Sequence, residues 1–291
     1  MILKMRGRTV TFPRRPLVMG IVNITNDSLS GDGSLQIERT IETAQNQVTG
    51  GADIIDVGGE SARTNRQEIS EEEEAARILP FLNRFQECHD GKKPVDEIQV
   101  FPPFLSINTW RSGVAETTLR VGGHLLNDMS ASPTNETARI AAKYGTGFLI
   151  MHSIGLPKQR HTDMQYADIL RTLESFFDQK INQAIAAGVA REAIVLDPGI
   201  DFAKQKKDNL RIYRELKLFK HFGRPILLPV SRKTVIGDVL GVADPADRDA
   251  GTIACVVAGT LRGASIFRVH NVRAVVQALR VIYPIVECPE E

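Results

Sequence analysis

The chain has 291 residues, 42% hydrophobic and 24% charged, with a formal net charge of +1. That is globular composition, and it argues against nucleic acid as a main partner, because no basic excess exists to displace counterions. Three cysteines without metal-ligand spacing (Cys88, Cys255 and Cys288) argue against a disulfide framework. The opening MILKMRGRTV has no signal-like apolar stretch and no run reaches membrane-spanning length, so the expectation is a soluble, cytoplasmic protein with no membrane partner.

Short apolar or β-branched runs alternate with stretches of 3.6-residue periodicity. The run 17–22 precedes a helical pattern at 37–50, 53–57 precedes 70–85, 105–108 precedes 112–121, and 124–127 precedes 136–143. Then come 147–151 with 166–187, 193–196 with 209–219, 225–230 with 247–261, and 265–269 with 272–283. Eight such pairs predict an α/β fold, a (β/α)8 TIM barrel, as a single domain over residues 1–291. A doubly wound sheet is the runner-up, but it seldom runs to eight strictly alternating units without a second domain. Ser70 with Glu73 reads as a capping box, so the acidic run 71–74 is structural and not a metal site. Gly188 reads as a helix C-cap, and 89–103, with its charged clusters and three prolines, as an extended surface loop.

In a barrel the residues just after each strand share one face. Here they are Asn23 to Ser28, Gly58-Gly59-Glu60-Ser61-Ala62-Arg63, Asn108, Asn127-Asp128, Met151-His152, Asp197-Pro198-Gly199, Ser231-Arg232-Lys233 and Arg268-Val269-His270. Each is weak alone. Asn23 is a common turn former, a glycine pair serves backbone geometry, and His152 reads equally as a hydrogen-bonded core histidine. Together they put amides and carboxylates beside Arg232, Lys233, Arg268 and His270, four groups expected to converge on one anion.

These segments resemble the dihydropteroate synthase family, (β/α)8 enzymes that bind pterins. The stretches that carry the resemblance are MGIVNITNDSLSGDG (19–33), GADIIDVGGESAR (51–63), LLNDMS (125–130), MH (151–152), IVLDPGIDFAK (194–204), VSRK (230–233) and RVH (268–270), in family order. The resemblance implies a transferase of folate biosynthesis that joins 7,8-dihydropterin-6-ylmethyl diphosphate to p-aminobenzoate, with Mg2+ as cofactor and a homodimer through the last helices. It implies that Asp197 and Asn127 read the pterin, that Lys233 bonds its edge, and that Arg268 lies over or beside the ring. It implies Arg63, Arg268 and His270 for the diphosphate, Asn23 for the metal, and Ala62 in the substrate loop. Asn108, Lys233 and Arg268 are the positions it implies for catalysis.

Five positions depart from the family pattern. Asn108 replaces an aspartate at the third strand end, removing a charge beside a developing cation. Ala62 replaces threonine and Asn26 a proline in the first loop, while Asp201 and Pro229 replace glycines that let a ring approach closely. The leading expectation is a synthase, and the alternative is a pterin-binding paralog with altered or lost synthase activity. A methyltransferase acting on a reduced folate and a non-catalytic binding protein are the further readings.

Overall fold

A computed structural model describes residues 1–26, 33–61, 67–130, 135–155, 157–159 and 164–287. The chain opens with an antiparallel hairpin, β1 (Ile2–Met5) and β2 (Arg8–Thr11), joined through Arg6 and Gly7, both at positive φ. Eight parallel strands follow: β3 (Leu17–Asn23), β4 (Ile54–Gly58), β5 (Phe104–Asn108), β6 (Leu125–Asp128), β7 (Gly147–Met151), β8 (Ile194–Asp197), β9 (Leu227–Leu228) and β10 (Ile266–Val269). Their order in the sheet is β8-β7-β6-β5-β4-β3-β10-β9, and a single bridge, Leu196 to Ile226, closes the circle. This is the expected (β/α)8 barrel. The expected strand 225–230 shrinks to two residues because Pro229 has no N–H to give the ladder.

The helices are α1 (Ile37–Thr49), α2 (Glu71–Asn83), α3 (Ser112–Val121), α4 (Glu136–Tyr144), α5 (Ile169–Ala186), α6 (Lys206–Arg214), α7 (Thr234–Leu240), α8 (Asp249–Leu261) and α9 (Val272–Glu287). Ser70 caps α2, accepting from Glu73 N at 3.1 Å, while the Glu73 carboxylate turns to Arg77 at 2.6 Å. Gly188 follows α5 at φ 101, as a C-terminal glycine should. The helical pattern at 209–219 breaks into α6 and a 3-10 stretch, Leu216–Phe222. The segment 89–103 is a chain of turns, not an extended surface loop. Its Gln99 is buried and donates to Val48 O and Ala52 O at 3.1 and 2.9 Å, tying the segment to the end of α1.

Period-2 alternation divides each barrel strand between two cores. Val18, Ile55, Val57, Leu105, Ile107, Leu126, Ile150 and Leu196 face out to the helices. Leu17, Met19, Ile54, Phe104, Leu125, Leu149, Val195, Leu227 and Ile266 face in. The hairpin supplies Leu3, Met5 and Val10 to the inner group, so β1 and β2 plug the N-terminal end of the barrel. Sequence periodicity gives eight strand–helix pairs and passes over two elements, this hairpin and the short α7, because each is too brief to carry a period.

Candidate functional site

The inward positions are apolar at the floor and polar one step nearer the strands' C-terminal ends. Ile54 is followed inward by Asp56, Phe104 by Ser106 and Asn108, Leu125 by Asn127, Val195 by Asp197, and Ile266 by Arg268. The ladders set Asp56 opposite Ser106, Asn108 opposite Asn127, and Met151 opposite Asp197. A polar ring thus stands on an apolar floor at the end where barrels keep their active sites.

Asp56 is the hub of one wall. Fully buried, it accepts from Ser106 Oγ at 2.6 Å, from Asn127 Nδ2 at 3.2 Å to each oxygen, from Asn108 Nδ2 at 3.4 Å and from Arg268 Nε at 2.7 Å. Drawing both amide Nδ2 groups to one carboxylate turns the Oδ1 atoms the other way. Asn108 Oδ1 is buried with no partner among the described residues, an acceptor that lacks its donor. Sequence reasoning missed Asp56 and Ser106. The signal was there: an aspartate inside the apolar run ADIIDVG, two residues after inward Ile54.

The opposite wall is built from the ends of β8 and β9. Asp197 is buried and accepts from Gly199 N at 2.7 Å; burial raises its pKa to about 6, against the pull of Lys233, Lys204 and Arg268. Gly199 has to be glycine. Its φ is 68, and a Cβ there would meet the His152 carbonyl at 2.0 Å. His152 is a hydrogen-bonded core histidine, with Nδ1 2.9 Å from Lys204 Nζ and its pKa pushed down to about 3 by burial and then by Lys204. Lys233 donates Nζ to Ile200 O at 3.0 Å and lies 4.8 Å from the Phe202 ring. His270 donates its backbone N–H to Ser231 Oγ at 3.2 Å, and the same hydroxyl lies 2.8 Å from His270 Nδ1.

The expected convergence of four cations is corrected at Arg232. Its φ is 58, and its guanidinium turns to Asp249 in a two-point pair at 2.9 and 3.3 Å. Arg248 holds the same loop from below, donating to the carbonyls of Arg232, Lys233, Val242 and Ala243. Pro229 follows β9 directly and ends it, and Asp201 points its carboxylate at the start of α7.

The loop after β4 is anchored at both ends of its described part. Arg111 pairs with Glu60, with Glu74 at 2.5 Å and with Glu68 at 3.1 Å, and Lys158 pairs with Glu60 while donating to Gln67 O at 2.9 Å. Glu74 is buried, so the expectation of structural glutamates applies to it through this ion pair. Ala62 and Arg63 lie outside the described residues. Asn23 ends β3, half-exposed, with its carbonyl accepting from Ser34 N at 3.1 Å; Asn26 is exposed. No cluster of three or more His, Cys, Asp or Glu suited to a metal occurs among the described residues. A hard cation would find one amide oxygen at Asn23, which fits Mg2+ carried mainly by substrate phosphates and water.

Comparison with known proteins finds the pattern of "Pterin binding enzyme" over residues 19–270. Dihydropteroate synthase of Escherichia coli (strain K12) is 35% identical over 268 residues, covering 92% of this chain and 90% of that one. The crystal structure of the Yersinia pestis dihydropteroate synthase with a sulfonamide drug complex superposes with a TM-score of 0.88 at 32% identity, covering 99% and 100% of the two chains. The Xanthomonas albilineans dihydropteroate synthase with 4-aminobenzoic acid gives 0.85 at 29% identity and 99% of each chain.

Proposed function

Because this chain belongs to the dihydropteroate synthase family of pterin binding enzymes, we propose that it is a transferase of folate biosynthesis that joins 7,8-dihydropterin-6-ylmethyl diphosphate to p-aminobenzoate. The observation that carries this reading is the polar ring itself: Asn127, Asp197 and Arg268 on inward positions above an apolar floor, with Lys233 at the rim. A flat heterocycle with donors and acceptors along its edge needs that arrangement.

Asp197, ionised at neutral pH, accepts from the pterin's 2-amino group and N3–H. Asn127 and Asn108, oriented by Asp56, offer amide oxygens to further ring donors. Lys233 donates to the ring edge, and Arg268, held by Asp56, lies beside the ring and the leaving group. The methylene carbon–oxygen bond breaks with its electron pair going to diphosphate, whose charge Arg268, His270 and Arg63 hold. The p-aminobenzoate nitrogen then attacks that carbon and releases a proton, so no protein nucleophile is required. Mg2+, with Asn23 as an oxygen ligand, would neutralise diphosphate charge.

Two unpaired cysteines, Cys88 and Cys255, support a reducing, cytoplasmic setting. Val281 and Ile285 on α9, 65% and 69% exposed, support a homodimer through the last helices.

A second reading, a pterin-binding paralog with altered or lost synthase activity, is favoured by Asn108. Its amide donates to Asp56 at 3.4 Å, so the hydrogen bond is kept while this wall carries one carboxylate where the family pattern sets two. A product assay by mass spectrometry decides between the two. With both substrates and Mg2+, the native chain is expected to form dihydropteroate, and Lys233→Ala to lose about a hundredfold or more. A native chain that forms none while Asn108→Asp does would establish the paralog.

A further inference from the structure

The loop after β8 passes through the left-handed region at two residues that are not glycine, Asp201 (φ 67) and Ala203 (φ 51). Aspartate tolerates that backbone better than most residues, because its short polar side chain can bond locally. Here the side chain reaches the next loop instead. Its carboxylate accepts from Thr234 N at 2.5 Å and from Val235 N at 3.3 and 3.4 Å, the first two residues of α7. The N-cap residue of α7 is Lys233, which makes no side-chain cap of its own.

Asp201 is itself gripped from α6. Asn209 Nδ2 donates to the carboxylate at 3.0 Å, and Asn209 Oδ1 accepts from Asp201 N at 2.9 Å. The residues on either side of Asp201 hold the far end of the lysine: Ile200 offers its carbonyl to Nζ, and Phe202 its ring. One four-atom stem is therefore fixed at its base by a cap and at its tip by the loop that provides the cap.

We propose that Asp201 is the positioning residue of Lys233: it caps α7 from the β8–α6 loop and so fixes the backbone from which the lysine reaches the pterin. The proposal rests on the pterin reading above. Burial pushes the Lys233 pKa down; Asp201 is the first group that opposes this and Asp197 the second, while Arg268 adds to the fall. Lys204, on the same loop, is the other cation nearby. Asp201 thus also opposes the loss of charge from a buried ammonium.

Two arms test this. In the first, lysine side chains are isotope-labelled in the free protein and titrated by NMR, with the Lys233 signal assigned from Lys233→Ala. Asp201→Asn, which suits the backbone and keeps an acceptor for Thr234 N, is expected to lower the Lys233 midpoint by about one unit or more. In the second, 7,8-dihydropterin-6-ylmethyl diphosphate is titrated calorimetrically across pH. The Asn variant is expected to lose affinity at a lower pH than the native chain, and Asp201→Gly to bind about tenfold more weakly at neutral pH, with the KM for p-aminobenzoate unchanged. An unchanged Lys233 midpoint together with native affinity would overturn the proposal, even if melting temperatures fell. A native chain that binds no pterin would overturn the functional reading alone, since the lysine titration still decides whether Asp201 governs Lys233.

Discussion

The two walls of the barrel mouth hold their polar groups by different means. On the β4–β6 wall, Asp56, Ser106, Asn108 and Asn127 sit on adjacent parallel strands, so ladder register fixes their spacing, and one buried carboxylate gathers them with Arg268. On the β8–β9 side Asp197 keeps a ladder place at the end of β8, but Lys233 and, just after β10, His270 are held by loops that individual side chains pin: Asp201, Asn209, Arg248 and Ser231. Register-held groups cannot shift without shifting the barrel, whereas loop-held groups can be reset one substitution at a time. Three of the five departures from the family pattern follow that division. Asn108 changes charge but keeps its place, while Asp201 and Pro229 rebuild the loop side.

The difference can be broken most forcefully at the hub. Asp56→Ala leaves a guanidinium and two amide donors without their shared acceptor, and is expected to cost about 3 kcal/mol of folding stability. Urea unfolding measures this, and a loss below about 1 kcal/mol would mean that the ladders hold this wall unaided. A middle-sized effect is expected from pH on the other wall. Asp197 must be ionised to accept the pterin's donors, and its pKa is raised to about 6, so affinity should hold above that pH and fall about tenfold per unit below it. Calorimetric titration from neutral to acid pH checks the sign; affinity that rises on acidification would assign the pterin's donors to another acceptor. The smallest change is expected at Ser231→Ala, which removes the hydroxyl beside His270 Nδ1. About 1 kcal/mol of net hydrogen bonding corresponds to a KM for the diphosphate substrate raised about fivefold, with little change in melting temperature. An unaltered KM would separate His270 from diphosphate binding.

Much of the fold was legible because barrel strands and helices repeat their patterns eight times, and the polar strand ends were legible because they interrupt apolar runs. Asp56 was hidden by its position inside such a run, where an acidic residue reads as part of a turn or strand start until inward alternation is applied. Arg232 was misread because its neighbour Lys233 does face the site: at φ 58 the backbone sends the two side chains to different partners. The hairpin at the barrel's floor was hidden because two four-residue strands have no periodicity to detect.

The sequence by itself determined the barrel, its order of elements and the residue types on its polar face, because alternation and turn chemistry are local and are written residue by residue. Only the tertiary structure decided which cation belongs to the site and which to a salt bridge, that one buried aspartate orders an entire wall, and that Asp201 caps a helix from outside it. Those outcomes depend on pairs as far apart as Asp56 and Arg268, 212 residues along the chain, which meet because closing the sheet brings β4 and β10 to either side of β3.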